Sequence, residues 1–213
     1  MTVSYQVVGE QLVMQADGSV KSFRNGVYTG AFDPPNFIFT QGGTQQSIQL
    51  AVSPFGAHPV QVDSGTTWSV DANPLLHAVD NLNGTVQWYS SQQLTGTASE
   101  TTIIFIYTPQ YYLTTSTDGD GGSVSPASGW YDAWTVVPIT ANADSSYMFQ
   151  SWTGTNDGSY TGTDNPSSVT MNGPVTQQAT FAFVIPENAL LLIPFAIIIV
   201  VVLKRRKSRQ STP

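Results

Sequence analysis

Two things are scarce in this chain: charge and cysteine. Only 10% of the 213 residues are Asp, Glu, Lys or Arg, against roughly 25% in an average soluble domain. The few cations are unevenly placed. Lys21 and Arg24 are the only basic residues before Lys204, and they face fourteen carboxylates. A body this acidic has no electrostatic means of gripping phosphate backbones, which argues against a nucleic-acid partner. The absence of cysteine excludes a disulfide scaffold and a thiolate metal site. There is also no basic stretch followed by an apolar one at the N-terminus, so no signal peptide is visible. Either Met1 is not the authentic start, or targeting is carried elsewhere in the chain.

The other end supplies a candidate. Residues 189–203 read ALLLIPFAIIIVVVL without a break. At 1.5 Å rise, fifteen such residues cover about 22 Å, and extension back to Pro186 gives about 27 Å, close to the roughly 30 Å hydrocarbon core. Pro186 suits a first helical position, and Glu187 suits the positive end of a helix dipole. Pro194 is tolerable in a membrane helix. Lys204, Arg205, Arg206, Lys207 and Arg209 follow at once. By the positive-inside rule they place the last residues in the cytoplasm and the body outside. The expectation is one transmembrane helix over 185–204, with the lipid bilayer as a partner, and a basic cytoplasmic tail over 205–213. The same tail resembles the tripartite sorting signals of prokaryotic surface proteins, with Pro186-Glu187 as the matching element. That resemblance implies cleavage and attachment to lipid or wall.

Residues 1–184 show no sustained i, i+3, i+4 apolar spacing. Alternating and β-branched runs recur instead, punctuated by Asp17-Gly18, Asn25-Gly26, Asn83-Gly84 and Asp157-Gly158, dipeptides that accept positive φ cheaply. Strands are expected at 2–8, 20–23, 36–40, 47–53, 59–62, 67–70, 86–90, 102–108, 111–116, 134–140, 148–152, 167–171 and 176–184. The fold class is therefore mainly β. It divides into a sandwich-type, Ig-like module over 1–109, from strand count and turn spacing, and a smaller module over 110–184.

The second module carries a resemblance. Gly122-Ser123-Val124-Ser125-Pro126, Ser128-Gly129 with Tyr131, the Tyr147/Phe149/Trp152/Gly154 cluster, Asn165-Pro166 and the closing Thr180-Phe181 resemble the divergent internalin-type B-repeat. That repeat is found in surface proteins of bacteria and archaea. The resemblance implies a small β-grasp-like repeat used as a tandem spacer or adhesive stalk, with no catalytic residues. The family usually has Gly where Trp134 and Ser146 stand. If those sites need φ > 0, a side chain there costs about 1 kcal/mol. In the first module, Val62-Asp63-Ser64-Gly65-Thr66-Thr67-Trp68-Ser69-Val70 is similar to a stretch of archaeal multi-repeat surface proteins. Trp88-Tyr89-Ser90-Ser91, Leu94-Thr95-Gly96-Thr97 and the opening run 2–9 extend that likeness, which implies further repeats upstream.

Chemistry-bearing constellations are few. His58 and His77 lie beside proline or apolar residues, and no G-x-S-x-G elbow accompanies them. The glutamates are Glu10, Glu100 and Glu187, with no spacing that singles out a glycosidase pair. Asp118-Gly119-Asp120-Gly121-Gly122 begins like a calcium loop, but its twelfth position is Gly129 rather than Glu. A Gly-rich hairpin turn is the plainer reading. The expectation is no catalysis, no cofactor and no metal. Of five tryptophans, Trp88 and Trp152 lie in expected strands and are assigned to the core. Trp130 and Trp134, flanking Tyr131-Asp132, are the candidate glycan contacts. Asn83 heads the one N-x-S/T sequon without an intervening proline and is a candidate for N-glycosylation.

The functional expectation is a membrane-anchored extracellular spacer or adhesion protein, its partners being surface glycans or surface-layer proteins. The alternatives are a C-terminal accessory region of an exported hydrolase and a carbohydrate-binding module.

Overall fold

A computed structural model describes residues 1–7, 11–14, 20–24, 27–31, 34–52, 58–75, 84–99 and 102–185. The segment expected to cross the membrane lies outside these residues. Among the described residues no helix is long and apolar enough to cross a membrane.

The described chain is mainly β. Its first ten strands are β1 (Thr2–Val7), β2 (Gln11–Met14), β3 (Val20–Arg24), β4 (Val27–Ala31), β5 (Asn36–Gln41), β6 (Thr44–Gln49), β7 (His58–Pro59), β8 (Thr67–Val70), β9 (Val86–Tyr89) and β10 (Thr95–Thr97). The remainder are β11 (Thr102–Thr117), β12 (Gly122–Ser125), β13 (Gly129–Asp132), β14 (Val136–Ala143), β15 (Tyr147–Thr155), β16 (Ser167–Thr170) and β17 (Val175–Phe183).

Sixteen residues long, β11 organises the rest. Its first half pairs in parallel with β1, from Thr2↔Thr102 to Val7↔Tyr107. Its second half pairs with β13 and, in parallel, with β17. Antiparallel β9 bridges the middle, from Thr108↔Tyr89 to Tyr111↔Val86. The expected module boundary near Pro109 thus falls inside one strand.

A proline inside a strand removes a ladder donor, yet Pro109 interrupts nothing here. Ile106 and Tyr112 direct their N–H groups to the edge shared with Gln92 and β9. Odd-numbered residues serve the opposite edge, where Pro109 O accepts the Ala133 N–H at 3.0 Å. On that edge β1 ends at Tyr107 and β13 begins at Gln110. The absent N–H therefore falls in the gap between two partners.

Strict period-2 burial along β11 sends Phe105, Tyr107, Pro109, Tyr111 and Leu113 inward. Each of the large side chains contributes about 1.5–3 kcal/mol of burial. Opposite the first half stands the sheet β10-β8-β5-β6. Phe37 stacks on Trp68 at 5.5 Å, and Trp68 meets Phe105 edge-on at 5.7 Å. Opposite the second half stands β12-β14-β16, which buries Val137, Ile139, Ala141 and Val169. Against these, β15 and β17 supply Trp152, Val175, Ala179 and Phe181. Trp88 and Trp152 are both fully buried, as their strand positions implied, and Trp68 joins them in the core. The remaining sheet, β2-β3-β4, contains two strands the alternation pattern missed.

The uncharged polar composition has a structural use. Several side-chain carboxamides take the place of a partner strand, accepting one backbone N–H and donating to a nearby carbonyl. Asn73 does this for Ser90, at 3.0 and 2.9 Å, and Asn165 for Ala141, at 2.8 and 2.7 Å. Fully buried Gln177 does it for Tyr160, at 3.1 and 2.6 Å. Each satisfies a backbone pair that burial would otherwise leave at a cost of about 1–3 kcal/mol.

At both positions where the resembled family carries glycine, this chain adopts a left-handed backbone, with φ of 63° at Trp134 and 71° at Ser146. Trp134 accordingly sits in the turn before β14 rather than at the start of an expected strand. Replacing Ser146 by Gly relieves that strain and should raise unfolding free energy by about 1 kcal/mol. Urea denaturation of the two forms measures it, and an unchanged or lower midpoint contradicts the strain assignment.

Candidate functional surface

Among the described residues, the outer face of β9-β11-β13 is where an expected ligand-contacting residue joins others in an ordered array. Three cross-strand rows follow from the register. Tyr89 stands opposite Thr108, Gln87 opposite Gln110 and then Asp132, and Tyr112 opposite Trp130. Successive rows are two residues apart, about 7 Å along the strands. The middle row is a hydrogen-bonded ladder. Gln87 Nε2 donates to Gln110 Oε1 at 2.8 Å, and Gln110 Nε2 donates to Asp132 Oδ1 at 2.9 Å. The lower row closes on an edge-to-face pair, Trp130 and Tyr112, with centroids 5.1 Å apart. Tyr89 in the upper row is 40% exposed.

The structure treats the two proposed glycan-contact tryptophans differently. Trp130 is half-buried on this face beside Tyr112. Trp134 is 60% exposed in the following turn, and its backbone N–H donates to Met171 O at 2.8 Å. Tyr89, Gln87, Gln110, Tyr112 and Asp132 were not singled out in the sequence. Their alternate spacing along strands marks a common face only once the register between strands is known.

Other candidates resolve in part. Asn83, His77, Glu10, Glu100 and Glu187 lie outside the described residues, and His58 lies in β7. Asp118 to Gly121 form a bend between β11 and β12. A side chain at Gly121 would run into the Tyr147 ring, and one at Gly122 into Asn142 O and the Phe181 ring, so these glycines are required by packing. Among the described residues no three His, Asp or Glu side chains are placed to hold a metal. A groove of about 490 Å³ on the outside of β10-β8-β5-β6 is lined by Thr40, Thr67, Ser69, Thr95 and their neighbours, none of them ionisable.

Among the described residues, Tyr107 is a titratable group whose surroundings shift it within a measurable range. Its hydroxyl donates to Ala72 O at 2.7 Å. Burial, and next the Asp71 carboxylate, push its phenol up to about 12 from an ordinary value of 10. Tyr5, edge-on to it at 6.3 Å, is raised in the same direction, first by burial and then by Tyr107.

Residues 112–184 match the family model of the divergent InlB B-repeat domain, in agreement with the resemblance carried by their motifs. The match starts inside β11 and ends just past β17. Comparisons with curated proteins and with solved structures returned no match.

Because the folded chain favours neutral Tyr107, it keeps a proton that the unfolded chain releases above pH 10. That stabilisation is complete below pH 10 and is lost as pH rises toward 12, by about 1 kcal/mol at pH 11. Urea midpoints at pH 9 and pH 11 should show the loss, and Tyr107→Phe should make the slope shallower while lowering the pH 9 midpoint. Equal slopes in the two proteins would remove Tyr107 as the cause.

Proposed function

We propose that this chain is a non-catalytic spacer or adhesive element of a cell surface. In this reading an Ig-like first module and a β-grasp-like repeat stand outside the membrane, residues 185–204 cross it, and 205–213 remain in the cytoplasm. The family of the second module is a β-repeat family consistent with such a role. The observation that carries the reading is β11. One unbroken strand pairs with β1 before Pro109, with β9 across it, and with β13 and β17 beyond it. Two modules sharing a strand cannot hinge about a linker, and stiffness of that kind is what a spacer requires. The polar, low-charge surface suits an exterior crowded with neighbouring copies.

Protease treatment of intact cells carrying one tag before residue 1 and another after Pro213 tests the anchoring. The expected outcome is loss of the first tag and survival of the second. Survival of both in a soluble fraction would overturn it.

A second reading concerns what the element adheres to. The β9-β11-β13 face offers aromatic rings above and below an amide–carboxylate ladder, a pairing suited to the apolar faces and hydroxyls of a neutral oligosaccharide. Trp130→Ala should reduce retention on glycan arrays at least tenfold while Trp134→Ala leaves it unchanged. Equal loss from both, or retention unaffected by Trp130→Ala, would remove this face as the contact.

A further inference from the structure

Partner strands bound β11 along most of both edges, and two remaining stretches are bounded by side chains instead. Before β9 begins, the Gln92 carboxamide accepts the Ile106 N–H at 2.5 Å and donates to Ile104 O at 3.2 Å. A carbonyl at one residue and an amide two residues on, both engaged by one partner, is the bonding pattern of a parallel strand. Gln92 thus stands in for a residue opposite Phe105. It is itself steadied by Ser90, whose hydroxyl lies 3.4 Å from both its backbone N and its Oε1. On the opposite edge, beyond β13, the Ser128 hydroxyl accepts the Thr115 N–H at 2.9 Å and lies 3.3 Å from Thr115 O.

The Gln92 stretch is the more consequential. Exposed strand edges are templates for another chain, and proteins usually blunt them with Lys, Pro or a covering element. Residues 102–108 contain no charge. Ile104 and Ile106 are each 40% exposed, and both are β-branched. Thr102, Ile104 and Ile106 direct their backbone groups to the same edge, by parity with the Ile106 N–H. An antiparallel partner centred on Ile104 would set Ile104 opposite Ile104 and Thr102 opposite Ile106. A second copy of this chain satisfies that register through a two-fold axis, giving a closed, isologous contact.

We propose that the edge at Thr102, Ile104 and Ile106 is a pairing surface for a second copy of the chain, held shut by the Gln92 carboxamide. The guard is a neutral amide where other proteins place a lysine, in keeping with a body that has almost no cations. For a surface protein packed beside its own copies, such a guard keeps each strand edge from joining its neighbour's. The inference is independent of the adhesive reading and of any ligand.

The test is light scattering after size exclusion on the full chain in detergent, over rising concentration. The native chain should run as one copy per particle. Gln92→Ala should double the protein mass, and Gln92→Thr, too short to reach Ile106, should do the same if the alanine variant folds poorly. Adding Ile104→Pro should restore the single copy, because the N–H it removes faces the edge that Gln92 guards and not β1. Variants that stay at one copy with unchanged β-sheet circular dichroism would overturn the proposal. So would doubling that survives Ile104→Pro, or a native chain already paired in a way that Ile104→Pro abolishes.

Discussion

The structure depends on the continuity of β11. A strand of sixteen residues needs partners along two edges, and this one finds them in both modules: β1 and β9 from the first, β13 and β17 from the second. The inward side chains from Phe105 to Leu113 belong to one core that reaches from Val3 and Phe37 to Val175 and Phe181. Loss of the strand would remove the central partner of the largest sheet and the facing layer of the two smaller ones. Pro109 is compatible with this continuity only because its edge changes partner at that residue.

Backbone satisfaction without charge is the second constraint. Asn73, Asn165, Gln177 and Gln92 each supply an acceptor and a donor to backbone groups at strand margins. A carboxamide can do both at once, whereas Lys only donates and an ionised carboxylate only accepts. A chain that uses amides for this work can keep its surface nearly free of cations. The Asn-Pro pair appears at corresponding work in each module, Asn73 serving Ser90 and Asn165 serving Ala141. Bonded edges and a shared strand tie the two β-rich parts together through one continuous backbone ladder.

Much of the class, and several individual elements, were legible in the sequence. The run Thr67–Val70 is a strand with the bounds its alternation implies, and β5 and β9 differ from expectation by a single residue. Trp88 and Trp152 are core residues, as large aromatics in the strands of small β modules usually are. The glycines missing at 134 and 146 pointed to left-handed backbone, and both residues adopt it. The short strands β2, β4, β10 and β13 were not legible, since three to five residues carry too little periodicity to stand out from turns. The expected strands 102–108 and 111–116 are one strand, and its passage through Pro109 depends on which edge the missing donor faces, which only the pairing shows.

Alternation, turn dipeptides and motif order are local properties, and they determined by themselves the mainly β class, the B-repeat segment and the aromatic core positions. The tertiary structure decided what depends on register between distant segments. It brought Trp130 to Tyr112 instead of Trp134, aligned Gln87, Gln110 and Asp132 into a ladder, and set Gln92 on the edge of β11. Such pairs join residues more than ten positions apart. No local pattern encodes them, because a strand's partner is chosen by the whole sheet and not by the strand's own sequence.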